Sequence, residues 1–279
     1  MKPLPAFLAL ALAGTACQPQ ASAPQVLAAG LPKAALDKTA APPADSLTAS
    51  QRRLLQQHSL ADLLETNPTH NPKVRSFDGF FGADHRHIEV IFTEVRQDAS
   101  QPNRYYLQGK NRYKGQITPF TGTLLLTRLA DQPRFTDQEV AKGFTTSEHN
   151  QAAMFTALGN FVLRQDSTAK NAGVFRGRVA IDWWVNPQGE VREESRTRET
   201  LTQDGGIKFE GRWTPYGPAA PQPVVWVADI FSYGPRVLQD FGVGERTPNF
   251  KSKYARLGWD DYWKNDEWWA DTPKPTATL

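Results

Sequence analysis

Of the chain's 279 residues only Cys17 carries a thiol. A domain folded downstream of it can hold no internal disulfide, no cysteine nucleophile and no thiolate metal cluster. Long apolar runs are missing too. The one near the start, residues 4–13, falls short of the roughly 20 residues that a spanning helix needs. Neither sign of charge dominates, with 32 Lys and Arg against 29 Asp and Glu. The formal net charge is +3, and the basic residues are spread along the chain, so no nucleic-acid footprint is expected. The sequence has no Gly-x-Ser-x-Gly elbow, no His-Glu-x-x-His helix, no phosphate-binding P-loop and no dinucleotide fingerprint. What is left is an unmotifed acid–base enzyme or, as the main expectation, a protein that binds without catalysing a reaction.

The first residues do carry a pattern. Met1-Lys2, an apolar stretch and the small residues Gly14-Thr15-Ala16 ahead of Cys17 form the three parts of a secretory signal peptide. The Gly14-Thr15-Ala16-Cys17 stretch resembles the lipobox of bacterial lipoproteins, although that family usually has Leu where Gly14 stands. The resemblance implies cleavage after residue 16, lipidation of Cys17 and a membrane partner reached through the acyl chains. More than one chain is needed for stable anchoring. Gln18 replaces the Asp that marks inner-membrane retention, so the implied location is the cell envelope with the outer membrane favoured. The rival is ordinary cleavage at Ala21-Ser22-Ala23, which would release a soluble protein. Residues 17–45, rich in Ala, Pro, Ser, Gln and Lys, cannot bury enough apolar surface to order themselves, and they read as a tether.

Residues 46–72 form a short helical segment. Leu47, Leu54, Leu55, Leu60, Leu63 and Leu64 recur at near-helical spacing, with Ser50 and Ser59 as expected N-caps. The period then falls to two. His87-Ile88-Glu89-Val90-Ile91-Phe92-Thr93-Glu94-Val95 alternates polar with apolar, as a half-buried strand does. Further strands are expected at 104–113, 120–129, 154–164, 174–185, 207–214 and 224–230, with turns at 98–103, Asn186-Pro187-Gln188-Gly189 and Gly205-Gly206. Phe135-Thr136-Asp137-Gln138-Glu139 has capping-box spacing. Residues 73–279 therefore read as a single all-β, mainly antiparallel domain. It is either a barrel of the lipocalin/calycin-like type or a two-sheet sandwich, with a short N-terminal helix and an aromatic C-terminal cap. The stretches Phe77-Asp78-Gly79-Phe80-Phe81-Gly82, Gly109-Lys110-Asn111-Arg112-Tyr113-Lys114-Gly115 and Phe209-Glu210-Gly211-Arg212-Trp213-Thr214 resemble an uncharacterised group of bacterial lipoproteins, a likeness that implies no activity.

Two stretches carry candidate chemistry. On a strand, His85, His87 and Glu89 would share one face and offer two imidazoles and a carboxylate to a divalent metal. The same alternation also describes a plain solvated face. No cofactor is otherwise expected. Nearer the end, Trp259, Asp260, Asp261, Tyr262, Trp263, Asp266 and Glu267 mix indoles with carboxylates. These are the materials of a glycan site, where rings stack on sugar faces and acids pair with hydroxyls. The competing reading is a structural lid of large aromatics. Lys110, Arg112 and Lys114 on one face, and Arg192, Arg196 and Arg198 after a turn, are two further basic groups that suit anionic lipid or acidic glycan. The expected function is thus an envelope lipoprotein that binds a ligand or an envelope protein. The alternatives are a glycan-binding or glycan-hydrolysing protein and a metal-binding module, and the oligomeric state is left open.

Overall fold

A computed structural model describes residues 45–66, 76–143, 145–146, 149–150, 152–194, 201–239, 241, 254–262 and 267–270. The expected signal peptide, Cys17 and almost all of the expected tether lie outside these residues, as do Arg196, Arg198, Trp263 and Asp266 and the side chain of Asp261.

The chain forms β1 (Phe77–Phe81), β2 (Arg86–Gln97), β3 (Arg104–Tyr113), β4 (Gln116–Asp131), β5 (Met154–Gln165), β6 (Gly173–Val185), β7 (Val191–Glu193), β8 (Ile207–Pro215) and β9 (Gln222–Val227), of which all but β1 and β7 overlap the strands expected from period two. Every pairing is antiparallel. The order β1-β2-β3-β4-β5-β6-β8-β9 returns to β1, so the sheet closes into a lipocalin-like eight-stranded barrel, and β7 extends the end of β6 as a hairpin. Closure removes the exposed edges that an open sandwich would leave.

Alternation sets which residues fill the barrel. On β1 and β2, Phe77, Phe81, Ile88 and Val90 belong to the interior cluster, while Asp78, Phe80, His87 and Glu89 point outward. The interior is packed with rings. Phe209 stacks on Trp226 at 5.4 Å and lies within 6 Å of Phe77, Phe92 and Phe161, while Phe175 meets the Trp226 edge at 5.6 Å. Where β6 and β8 cross the barrel, two glycines face each other. A Cβ on Gly177 or Gly211 would stand 2.1 Å from a backbone oxygen of the neighbouring strand. Backbone cannot swing aside as a side chain can, so Gly211→Ala is expected to destabilise the barrel by about 1–3 kcal/mol, read from urea unfolding.

One end of the barrel is plugged. Helices α1 (Ala49–Gln57) and α2 (Ala61–Leu64) bury Leu55, Leu60, Leu63 and Leu64 in the core. The N-cap of α1 is Thr48 rather than Ser50. Thr48 has the extended backbone a cap requires, and it exchanges capping-box hydrogen bonds with Gln51. The N-cap of α2 is Leu60 rather than Ser59, although Ser59 Oγ accepts from the Ala61 N–H at 3.3 Å. Tyr105 anchors the plug by accepting from the Leu60 N–H at 3.2 Å, and burial pushes its phenol up to about 12. Thr66 then donates to the Phe92 carbonyl at 2.8 Å, covering β2 beyond the end of β1.

The capping box at Thr136 and Glu139 opens α3 (Asp137–Ala141) as the spacing predicts. The last strand does not run to Ile230. Asp229 accepts from the Phe231 and Ser232 N–H groups and starts α4 (Ile230–Val237) instead. This helix and residues 254–262 pack a second cluster, Phe80, Val227, Ile230, Tyr233, Phe241, Tyr254 and Trp259, against the outside of β1 and β9. The expected aromatic cap is therefore present, and it covers the barrel's outer wall rather than an open end.

Candidate functional site

The end opposite the plug is open. The turns at 82–85, 114–115, 166–172 and 216–221 all project there, around a cup of about 480 Å³. Its upper walls are Phe81, Tyr113 and Trp213, with Phe81 to Tyr113 at 4.5 Å and Phe81 to Trp213 at 5.5 Å. The layer below holds Ile88, Asn111, Thr118 and Phe175. Asn111 and Thr118 are buried polar groups at inward positions of β3 and β4, where strand alternation would ordinarily place apolar side chains.

Gln165 organises this floor. Its Oε1 accepts from the Gly173 N–H and the Trp213 Nε1–H, both at 2.8 Å, and its Nε2 donates to Asn111 Oδ1 at 2.8 Å. Both ends of the Gln165 amide are used. The Trp213 ring is fixed, and the Asn111 Nδ2 is left without a protein partner among the described residues. At the rim, Asp84 accepts from Arg86 Nε at 2.8 Å, and the Lys114 ammonium lies 5.4 Å from the Tyr113 ring centre. Burial, reinforced by the Asp84 charge, raises the Tyr113 phenol, which keeps it a neutral hydroxyl. The cup thus presents flat aromatic faces, neutral hydrogen-bonding groups and the Asn111 amide donor on its floor, with the Asp84 and Lys114 charges at its rim.

The residues singled out in the sequence lie elsewhere. His85 is not on the strand. It sits in the β1–β2 turn with φ 55°, its ring edge-on to Phe80 at 5.9 Å, and so does not share a face with His87 and Glu89. His87 Nε2 meets Asp78 Oδ1 at 2.7 Å, and Nδ1 meets the Gly258 carbonyl at 3.1 Å. Both partners are acceptors, so an imidazolium satisfies both. Glu89 takes two hydrogen bonds from Arg112, the one from Nη2 at 2.8 Å, and one from Trp268 Nε1 at 3.1 Å. Among the described residues no group of three His, Cys, Asp or Glu side chains is placed to hold a metal ion.

The C-terminal aromatics clamp this same wall. Trp259 is fully buried and stacks on His87 at 4.2 Å, Trp268 is buried beneath the Arg112 guanidinium at 5.2 Å, and Lys110 donates to the Trp269 carbonyl at 2.7 Å. Tyr262 is half-buried, Asp260 is exposed and Glu267 is half-buried. Of the two basic groups, Arg112 is committed to Glu89, Arg192 is paired with Glu190 at 2.5 Å, and Lys114 stands in a turn with φ 51°.

The stability of this clamp is expected to depend on pH. Burial opposes the charge on His87, but the hydrogen bond and charge of Asp78, with Glu89 and the Gly258 carbonyl, outweigh it and raise its pKa. Burial also raises the Glu89 carboxyl, more than Arg112 and His87 lower it. Both groups hold protons more tightly folded than unfolded. The His87 contribution is therefore complete below its unfolded value of about 6.5 and is lost as pH rises through the higher folded value. Glu89 acts in the same direction from a lower pH. Unfolding midpoints are expected to fall between neutral and alkaline pH, and His87→Gln is expected to flatten that slope. An unchanged slope would show that the pair does not couple to folding.

Sequence reasoning missed the cup because its lining comes from nearly every strand and no two of its polar floor residues are neighbours in the chain. One signal was available. In residues 104–113 the inward set is Tyr105, Leu107, Gly109, Asn111 and Tyr113, in which a carboxamide stands among apolar and aromatic groups. No family model matches the chain, and no curated protein or solved structure matches it.

Proposed function

We propose that this protein is a binding module of the bacterial cell envelope, tethered through Cys17, whose barrel mouth holds a neutral ligand bearing hydroxyl or amide groups, about the size of one or two sugar rings. The observation that carries the reading is the unspent Asn111 donor on a rigid amide floor under aromatic walls. A ligand oxygen satisfies that donor, while the ligand's C–H face rests on Tyr113 or Trp213. The volume lies within the roughly 300–1,000 Å³ of small-molecule sites. Asp84, tied to Arg86, is the one carboxylate in the lining among the described residues. Glycoside hydrolysis by paired carboxylates needs a second, which favours binding over hydrolysis. The glycan contact inferred from the C-terminal segment moves to the cup, because the Trp259 and Trp268 rings are engaged in the clamp.

Calorimetric titration with glucose, N-acetylglucosamine and maltose tests the ligand class. At least one sugar is expected to bind, and Asn111→Ala is expected to weaken it roughly tenfold, the loss of one buried hydrogen bond. Equal affinity in the variant would remove the cup from the account. The tether is tested separately by mass spectrometry of the mature protein. A diacylglyceryl-modified Cys17 is expected, whereas an unmodified terminus beyond Ala23 would contradict it.

A further inference from the structure

The outer wall of β5, β6 and β8 holds an arginine patch that the proposed cup does not use. Arg176 and Arg212 stand directly opposite one another in the β6–β8 register, Arg178 lies two residues along the same face of β6, and Arg164 on β5 is diagonal to Arg176. All four are exposed. Elsewhere Arg52, Arg86, Arg112, Arg192 and Arg236 each reach a carboxylate. Arg164, Arg176, Arg178 and Arg212 reach none among the described residues. Neighbouring carboxylates are otherwise occupied: Glu210 faces Arg178 but lies 3.3 Å from the Lys208 ammonium, and Asp166 caps its own turn through Thr168.

Like charges directly opposite on a sheet repel, with Cβ atoms only about 5 Å apart. Four guanidiniums therefore crowd an area of about 10 by 13 Å, two strand spacings by four residues of strand, and the carboxylate beside them, Glu210, is shared with Lys208. Val162 and Val174, both half-buried, fill the positions between them, and Thr121, Thr123 and Thr214 border them. The patch is an outward sheet face on which Arg164 borders a hollow of about 560 Å³ with Lys110, Thr121 and Tyr216, while Arg176, Arg178 and Arg212 line neither that hollow nor the mouth cup. It suits an extended anionic surface, where guanidiniums meet phosphates two-pronged and the valines meet the apolar layer beneath.

We infer that this wall docks on the phosphate headgroups of an anionic membrane surface, independently of any lipid on Cys17 and of the mouth cup. The test is flotation of the full chain carrying Cys17→Ser with vesicles of phosphatidylcholine containing about a third phosphatidylglycerol, at low and high salt. Binding is expected at low salt and not to pure phosphatidylcholine, and it should fade once screening shortens to a few ångströms near 1 M salt. Each basic residue beside such a leaflet contributes roughly a factor of five. Adding Arg176→Glu and Arg212→Glu should therefore lower partitioning at least twentyfold, and the milder pair Arg176→Gln and Arg212→Gln should fall between. The sites are exposed, so thermal unfolding should be unchanged and serves as the control. Equal partitioning of the charge-reversed and parent chains overturns the inference. So does binding to pure phosphatidylcholine, or capture by heparin that the vesicles cannot compete away, which would assign the patch to an anionic polymer.

Discussion

Phe209→Ala is expected to cost about 3–5 kcal/mol of folding stability, the range for removing a large buried ring, with the cup loosened as well. Phe209 is fully buried at the centre of the barrel, with Phe77, Phe92, Phe161 and Trp226 around it. The consequence for the cup follows from the stacking order. Phe209 lies against Trp226, Trp226 receives the edge of Phe175, and Phe175 is part of the cup floor. A cavity at Phe209 leaves the floor unsupported on one side. Urea unfolding should show the stability loss, and titration of the folded fraction should show weaker ligand binding. A domain of this size has about 5–15 kcal/mol of stability in all, so the variant is expected to be marginal but folded. A loss below about 1 kcal/mol would mean that the ring cluster is not the barrel's main support.

Trp259→Ala is expected to have a comparable effect on stability and none on the cup. Trp259 is buried between His87, Phe80 and Phe241, with ring centres 4.2, 5.0 and 4.8 Å away. Its removal exposes the His87–Asp78 pair to water and unseats residues 254–262 from β1 and β2, at about 3–5 kcal/mol. Because this packing lies on the outer wall, the Asn111, Gln165 and Trp213 constellation stays in place. The two variants thus separate the molecule's parts. One reduces stability and binding together, and the other reduces stability alone while abolishing the pH slope that His87 provides. Proteolysis followed by mass spectrometry should find new cuts within 254–270 in Trp259→Ala and not in Phe209→Ala.

Most of the strands were legible in the sequence because alternation holds along most of their length, interrupted by register shifts at Phe92/Glu94 in β2 and Leu126/Arg128 in β4. Residues 104–113 are a strand from end to end, and Thr136 with Glu139 marked α3. What was hidden depends on register and on direction in space. His85 failed the alternation argument because β1 and β2 are joined by a tight turn, and the left-handed backbone at His85 breaks the face that His87 and Glu89 share. Ile230 looked like strand because apolar Val224-Val225-Trp226-Val227 precedes it, and the Asp229 cap that ends the strand is a single residue. The aromatic C-terminal segment was recognisable as packing material, but nothing local says whether such a segment covers a mouth or a wall. The arginine patch was unreadable for the same reason, since Arg164, Arg176 and Arg212 meet only once β5, β6 and β8 are aligned.

The central claim is that the barrel's open mouth, and not its aromatic flank, receives the ligand. Its most direct test is a side-chain NMR titration of isotopically labelled protein with N-acetylglucosamine and maltose. The Asn111 and Gln165 carboxamides and the Trp213 indole N–H should shift together and saturate with one binding constant, while the Trp259 and Trp268 indoles stay still. Saturable shifts at Trp259 and Trp268 with an unmoved Asn111 would contradict the account and return the site to the C-terminal clamp.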